Sequence, residues 1–443
     1  MNGARSTAVE ILNEVLGNNA YSNKVLNTYL NKNNLNKKDR ALVTEIVYGT
    51  LKYMYTIDAI LGDFIKSNLK KMNIDIVNIL RISIYQLRYL DKIPEFAVVN
   101  EAVEFSKKKS KGLSKLVNGV LRNYLRNKDN LHCEHKDNKI DKLCFKYSFP
   151  RWMTLLFIHQ YGEAVGESIL QALNYIPKVT VRVNELKTDY KSVWSELLKN
   201  GYDIEKGEIC KEAVVINRGS NIEENPLFKK GYITVQDESA MLVAHIVDPE
   251  ENMTILDMCS APGGKSCHMA ELMKNTGVIY AYDLHENKLR FVEENANRMG
   301  IKNIRCNKLD AEKYVEQFEA TADRVLIDVP CSGLGIVRKK PEIKWNKSMK
   351  SVNSLINVQR KIMLNCSRYV KDGGKLIYST CTLNKNENED NINWFIRENP
   401  QYKLEKIYCG DFDNIIYHKE GYITILPDDN MDGFFIAKMI KHR

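Results

Sequence analysis

The chain has 443 residues, 44% of them apolar and 27% charged, a globular composition over a length too great for one ordinary core, so two or three domains are expected. No apolar run approaches the roughly 18–20 residues needed to span a bilayer, and the N-terminus has no basic stub followed by an apolar block. No membrane segment and no secretory signal are therefore expected, and the location is expected to be cytoplasmic. Ten scattered cysteines then read as free thiols rather than as a disulfide framework.

The net charge of +9 sits at the front: residues 1–130 carry 21 Lys and Arg against 12 Asp and Glu, and the remainder is balanced. A polyanion is the natural partner of such a region. Lys107-Lys-Lys-Ser-Lys111, Lys115, Arg122 and Arg126 form its densest part, although a solvated helix face would carry the same charges. Val9, Leu12, Val15 and Leu16 recur at helical spacing, as do Leu42, Val43, Ile46, Val47, Leu51 and Met54, and later Leu116, Val117, Val120, Leu121, Tyr124 and Leu125. An all-α bundle over residues 1–130 follows. The polar stretch Asn127–Lys139 reads as a linker. His132, Cys133, His135 and Cys144 fit no zinc spacing well, so no metal is expected.

Tyr147-Ser-Phe-Pro-Arg-Trp152 leads into further helix ending near Asn174, and Val179–Val183 alternates like a strand. Residues 140–235 are expected to form a small α+β module closing with Gly231-Tyr-Ile-Thr-Val235. Gln236-Asp-Glu-Ser-Ala240 opens a helix into the last domain, residues 236–443. There the short apolar runs Thr254–Met258, Val278–Tyr282, Ile304–Leu309, Arg324–Val329 and Lys375–Ser379 alternate with helical segments. This is the pattern of an open, Rossmann-like parallel sheet. Asp283, Asp310 and Asp328 end three of the runs and Thr380-Cys381 a fourth. In such sheets ligands bind outside the carboxyl ends of the strands.

After the first of these strands, Ala261-Pro-Gly-Gly-Lys265 lets the backbone approach a ligand at the start of a helix. Asp283, about twenty residues on, is placed to accept from two ribose hydroxyls, and Asp310 to meet an adenine amino group. The three-glycine dinucleotide fingerprint is incomplete and no Walker-type loop occurs, so S-adenosylmethionine fits better than a pyrophosphate cofactor.

Two thiols, Cys331 in Asp328-Val-Pro-Cys331 and Cys381 in Ser379-Thr-Cys381, end neighbouring strands beside that loop. A thiolate can add to C6 of a pyrimidine and make C5 nucleophilic enough to accept a methyl group. A carboxylic acid at N3, the part suited to Asp328, stabilises the adduct, and a base removes the C5 proton on release. Chemistry alone leaves open which thiol attacks. Cys259, Cys267, Cys306 and Cys366 read instead as buried small hydrophobes.

Asp257-Met-Cys-Ser-Ala-Pro-Gly-Gly-Lys265, Asp328-Val-Pro-Cys-Ser-Gly333 and Ser379-Thr-Cys381 resemble the motifs of the RNA cytosine-C5 methyltransferases. The first ~130 residues resemble the NusB-type helical RNA-binding domain. Pro177, Arg182-Val-Asn184, Gln236-Asp237 and Asp432-Gly-Phe-Phe435 are similar to the branch acting on small-subunit ribosomal RNA, so the likeness covers most of the chain. It implies a class I methyltransferase domain and methylation of C5 of a specific cytosine in 16S rRNA, with S-adenosyl-L-methionine as cofactor. It further implies that Cys259, Ser260, Ala261, Pro262, Gly263, Gly264 and Lys265 form the methionine-and-ribose loop, that Asp283 and Asp310 hold ribose and adenine, and that Asp328 lies between cofactor and base. On the same resemblance Cys381 is the nucleophile and Cys331 acts in product release. Ser260 departs from a common alanine, a small change for the loop. A monomer without metal or membrane partner is expected.

Two further features bear on RNA. Tyr48, Tyr53 and Tyr55 could stack on bases, although tyrosines on an amphipathic helix more often belong to a core. The basic stretch Arg338-Lys-Lys-Pro-Glu-Ile-Lys344 with Trp345 is expected to hold substrate RNA. A binding-only assembly factor and an amino-group methyltransferase are the alternatives. The intact cysteines disfavour the first, and Asp328-Val-Pro-Cys331, in place of an Asn/Asp-Pro-Pro-aromatic sequence, disfavours the second.

Overall fold

Apolar positions three and four apart give the front of the chain a continuous buried stripe on each helix, and the stripes close on one another. In the computed structural model, which describes residues 3–33, 35–109, 112–135 and 137–442, the helices Ala4–Gly17, Ser22–Lys32, Lys37–Phe64, Ile74–Tyr89, Glu95–Lys109 and Ser114–Asn127 form this part. Val9, Leu12, Val15, Ile46, Val47, Leu51, Val117 and Leu121 are all inaccessible to solvent. Asn36 and Asn73 cap two of the helices by accepting from amides in their first turns, meeting donors that a helix leaves unpaired.

Two compact units divide the chain: Met1–Asn174 with Val337–Ser348, and Tyr175–Ile336 with Met349–Arg443. In the first, the stretch read as a linker is tied to the bundle, because Leu131 and Cys133 are buried in its core and the Cys133 amide donates to Asp63 (3.0 Å); Lys136 lies outside the described residues. Helices Lys139–Tyr147, Arg151–Tyr161 and Glu163–Ala172 complete the unit. Cys144 donates to the Thr154 hydroxyl, and among the described residues it forms no ligand cluster with His132, Cys133 and His135. Lys107, Lys108, Lys109, Lys115, Arg122 and Arg126 are exposed; Ser110 and Lys111 lie outside the described residues.

The segment Val337–Ser348 corrects one expectation. Lys344 is buried, and its ammonium donates to the carbonyls of Lys52 and Ser148 and to Asn174 Oδ1 at 3.0–3.1 Å. Burial, with Lys52 nearby, pushes its pKa well down. Trp345 donates its indole N–H to Leu51 O (2.7 Å), and Glu342 accepts from the amide and hydroxyl of Ser22. Lys344 and Trp345 are thus spent inside the helical unit, where a buried ammonium requires such partners, and they are not presented to RNA. Tyr53 stacks on Tyr89 at 4.3 Å and on Tyr85 at 6.4 Å, the core role rather than an open platform.

In the second unit, β1 (Val179–Val183), β2 (Asp203–Lys206), β3 (Ala213–Arg218) and β4 (Ile233–Val235) form an antiparallel sheet in the order β2-β3-β1-β4. The larger sheet contains β5 (Thr254–Asp257), β6 (Val278–Asp283), β7 (Ile304–Lys308), β8 (Ala322–Asp328), β9 (Val370–Thr380), β10 (Tyr402–Leu404), β11 (Ile415–Tyr417), β12 (Ile423–Ile425) and β13 (Phe434–Lys441). Its order is β11-β12-β13-β9-β8-β5-β6-β7, with β10 on β13. The five expected strands are the parallel part; β13 joins β9 antiparallel. Chain direction across the sheet reverses between β5 and β8, the switch point at which such sheets open a crevice.

Candidate active site

The crevice beyond β5, β6 and β8 holds a cavity of about 260 Å³. Cys259, Ala261, Asp283, Asp310 and Asp328 line it, all expected from the sequence; Lys288, Leu309, Pro330, Val358 and Ile362 line it too and were not expected. Val358 and Ile362 come from the helix Met349–Ser367, where helical periodicity is the only signal they give. Carboxylates and apolar side chains in one lining suit a nucleoside with two hydroxyls and a flat base.

The loop between β5 and the helix Gly264–Leu272 is folded back on the sheet. Both the amide and the hydroxyl of Ser260 donate to Tyr282 O (2.8 and 3.0 Å), and the Gly263 amide donates to Ser260 O (2.7 Å). Gly263 has φ near +100°, and a Cβ there would lie 2.9 Å from the Val292 backbone. Only glycine meets both demands. Cys259 lines the cavity, but burial pushes its thiol well up, as expected of a residue present for its backbone. Pro262 is exposed, and Pro262, Gly263 and Gly264 are not part of the cavity wall. Behind the loop, Asp257 is buried, accepts from Ser266 Oγ (2.6 Å) and is pushed by burial to a pKa of about 7.

Lys265 does not line the cavity itself but pairs with Asp328, which does, with Nζ 2.7 Å from Oδ2. Asp328 Oδ1 accepts from Ser379 Oγ (2.8 Å), its register partner across β8 and β9. Both oxygens therefore accept, which suits an orienting acceptor better than the N3 donor expected for this residue. Burial alone would lower the Lys265 pKa, but Asp328, and to a smaller extent Cys381 and Asp257, raise it, so the site contains a fixed cation.

Cys331 and Cys381 converge, Sγ to Sγ, at 3.3 Å. The Cys331 thiol is pushed well up, first by its hydrogen bond with Cys381, then by burial and by Glu387 and Asp328.

What holds the two cysteine loops together was missed in the sequence. Glu387, fully buried, accepts from the Ser332 amide (2.9 Å) and hydroxyl (2.5 Å), from Gln359 (2.9 Å) and from Asn384 (3.1 Å). The polar run Asn384-Lys-Asn-Glu-Asn388, three residues after Cys381, was the available signal. Gly335 and Gly433 complete the arrangement: the Gly433 amide donates to Gly335 O (3.0 Å), and a Cβ on Gly335 would meet Gly433 O at 2.0 Å. The close approach explains the glycine in Asp432-Gly-Phe-Phe435. Arg182 and Asn184 brace the site from outside. Arg182 is buried, pairs with Glu271 (2.6 Å) and donates to Gly264 O (3.1 Å); Asn184 donates to the carbonyls of Gly231 and Met299.

Sheet order, cavity and cofactor loop define an S-adenosylmethionine-dependent methyltransferase. Residues 244–440 match the family described as 16S rRNA methyltransferase RsmB/F, residues 2–126 the NusB family, and residues 149–223 a ferredoxin-like domain of RsmF/B-like methyltransferases. The chain is 38% identical, over 99% of its length and 98% of the relative's, to a probable ribosomal RNA small subunit methyltransferase B of Bacillus subtilis. Identity to the ribosomal RNA small subunit methyltransferase B of Shewanella oneidensis is 31%, covering 91% of each chain. The crystal structure of PH0851 superposes with a TM-score of 0.84 at 26% identity, covering 99% of both chains. The structure of NSun6 from Pyrococcus horikoshii with SFG does so at 0.61 and 25% identity, covering 67% of this chain and 99% of that one. The chain belongs to the RsmB/F family of rRNA methyltransferases. Among the described residues no helix is long and apolar enough to cross a membrane.

Proposed function

We propose that this protein methylates C5 of a cytosine in 16S rRNA, as a monomer, through a covalent bond between Cys381 and C6 of the base. The observation that carries the reading is the pair of thiols 3.3 Å apart, with Cys331 pushed up by its hydrogen bond with Cys381 and by burial, next to the Lys265–Asp328 ion pair at 2.7 Å.

The Cys381 thiolate adds to C6, and the displaced electron pair moves into the ring, where Lys265 is placed to meet charge developing at N3 and O2. Asp328, an acceptor on both oxygens, orients the exocyclic amino group and holds Lys265. Bound S-adenosylmethionine supplies an electrophilic methyl group to the nucleophilic C5. Asp283 and Asp310 are assigned to its ribose and adenine, and the backbone of Cys259–Lys265 to its remaining contacts. Loss of the C5 proton to a base then expels Cys381 as thiolate. The S–H of Cys331 stabilises that leaving thiolate, so it assists release rather than attack.

Residues 1–130, with Lys115, Arg122 and Arg126 exposed on one helix, are assigned to the RNA backbone. Reversing these three charges is expected to weaken RNA binding and flatten its salt dependence. The substrate assignment is tested by methyl transfer from labelled cofactor to unmodified 16S rRNA, followed by nucleoside analysis. Label in 5-methylcytosine is expected; label in another nucleoside, or none, would overturn it.

A further inference from the structure

Away from the active site, Cys210, Glu212 and His245 bring a thiol, a carboxylate oxygen and an imidazole nitrogen within 4.8 Å of one another. Cys210 and Glu212 lie in the turn between β2 and β3, and His245 in the last turn of the helix Glu238–Val247. His268, from the helix that begins at the cofactor loop, places Nε2 3.1 Å from the same Glu212 oxygen that His245 meets at 2.7 Å. The two rings stand edge to face at 5.0 Å.

Two unmet polar atoms point to a ligand. Glu212 Oε2 and His268 Nδ1 have no hydrogen-bond partner although the residues are only 4% and 2% exposed, and such orphans are costly in a buried site. A cavity of about 540 Å³, lined by Glu212, His245, His268, Lys211 and Leu272 among others, reaches the carboxylate and both imidazoles, with the Cys210 thiol buried behind them. Arg182, a buried cation, is already paired with Glu271 at 2.6 Å.

We propose that Cys210, Glu212 and His245 bind one divalent transition-metal ion, zinc by chemistry, with His268 or water in the fourth position. Sulfur, nitrogen and carboxylate oxygen donors around a small tetrahedral centre are the set zinc takes. The three ligand atoms lie within 4.8 Å of one another, and bond distances of about 2.0–2.3 Å are reached by a local rearrangement in which His245 Nε2 exchanges its 2.7 Å hydrogen bond with Glu212 for the ion. Binding forms an S–metal bond and sends the Cys210 proton to solvent. The thiolate and carboxylate then offset the charge of the ion. The ion would pin the small antiparallel sheet to the helices on either side of β5, a structural clamp behind the cofactor loop. The ligands come from one turn and two helices remote in sequence, which is why no spacing motif announced them.

The full chain, stripped with chelator and titrated with Co²⁺, is expected to bind one ion per chain with a thiolate-to-cobalt absorption band that Zn²⁺ abolishes. Cys210→Ser should remove the band, and His245→Gln, at a half-exposed position, should weaken affinity about 10–100-fold. The double variant Cys331→Ser/Cys381→Ser should keep the band, separating this site from the catalytic thiols. No band in the unaltered protein, a band that survives Cys210→Ser, or one lost in the Cys331/Cys381 double variant would overturn the proposal. Should Cys210→Ser fail to fold, the His245→Gln titration decides: undiminished affinity there also overturns it.

Discussion

Ser332 gives both its amide hydrogen and its hydroxyl hydrogen to Glu387, at 2.9 and 2.5 Å. One buried carboxylate thereby fixes the strand-end loop that carries Cys331 to the segment that follows Cys381. Glu387→Ala removes the buried acceptor that four donors share, the Ser332 amide among them, and a loss of about 3–5 kcal/mol is expected. Glu387→Gln keeps the size and two acceptor positions fewer, so it should fold with a lower Tm and a reduced kcat while the cofactor Kd changes little. Thermal denaturation and cofactor titration of the two variants check this.

Arg182 and Glu271 form a fully buried pair between the small antiparallel sheet and the helix that starts at the cofactor loop. Arg182→Leu strands the carboxylate, whose pKa burial already raises against the opposing pull of Arg182, and should cost about 3–5 kcal/mol. The double variant Arg182→Leu/Glu271→Leu should recover most of that loss, because the buried charge goes with its partner. Denaturant unfolding of both singles and the double measures the coupling.

Asp257 has a folded pKa of about 7, raised by burial from 3.8, with Ser266 opposing the shift and Asp328 adding to it. A raised acid contributes stability that is complete below the unfolded value and is lost as pH rises through the folded one. The unaltered protein should therefore lose this contribution between about pH 4 and pH 7. Asp257→Asn, which keeps an acceptor for Ser266, should remove that component, so its Tm relative to the parent should rise across the same interval. A Tm difference constant from pH 4 to pH 8 would contradict the assignment.

Much of this was legible in the sequence. Buried parallel strands read as short apolar runs, and four of the five run into a polar residue at the edge where ligands bind, so Asp283, Asp310, Asp328 and Cys381 could be placed from the sequence. The three-residue strands β10, β11 and β12 were not legible, because three residues establish no period. Lys344 and Trp345 misled for a related reason. A basic stretch with an aromatic has the same composition whether it faces water or fills a pocket, and only the carbonyls of Lys52, Ser148 and Leu51 show which. Glu387 was hidden because a buried hub is defined by donors from Ser332, Gln359 and Asn384 rather than by its neighbours in sequence.

The direction of the thiol chemistry is the central claim. It is tested by incubating unmodified 16S rRNA and cofactor with Cys331→Ala and Cys381→Ala separately, then resolving the products under denaturing, reducing conditions. Cys331→Ala is expected to accumulate a covalent protein–RNA species, since the departing thiolate has lost its hydrogen-bond donor, whereas Cys381→Ala should give neither that species nor methylated RNA. An adduct trapped by Cys381→Ala and absent from Cys331→Ala would contradict the account and exchange the two roles.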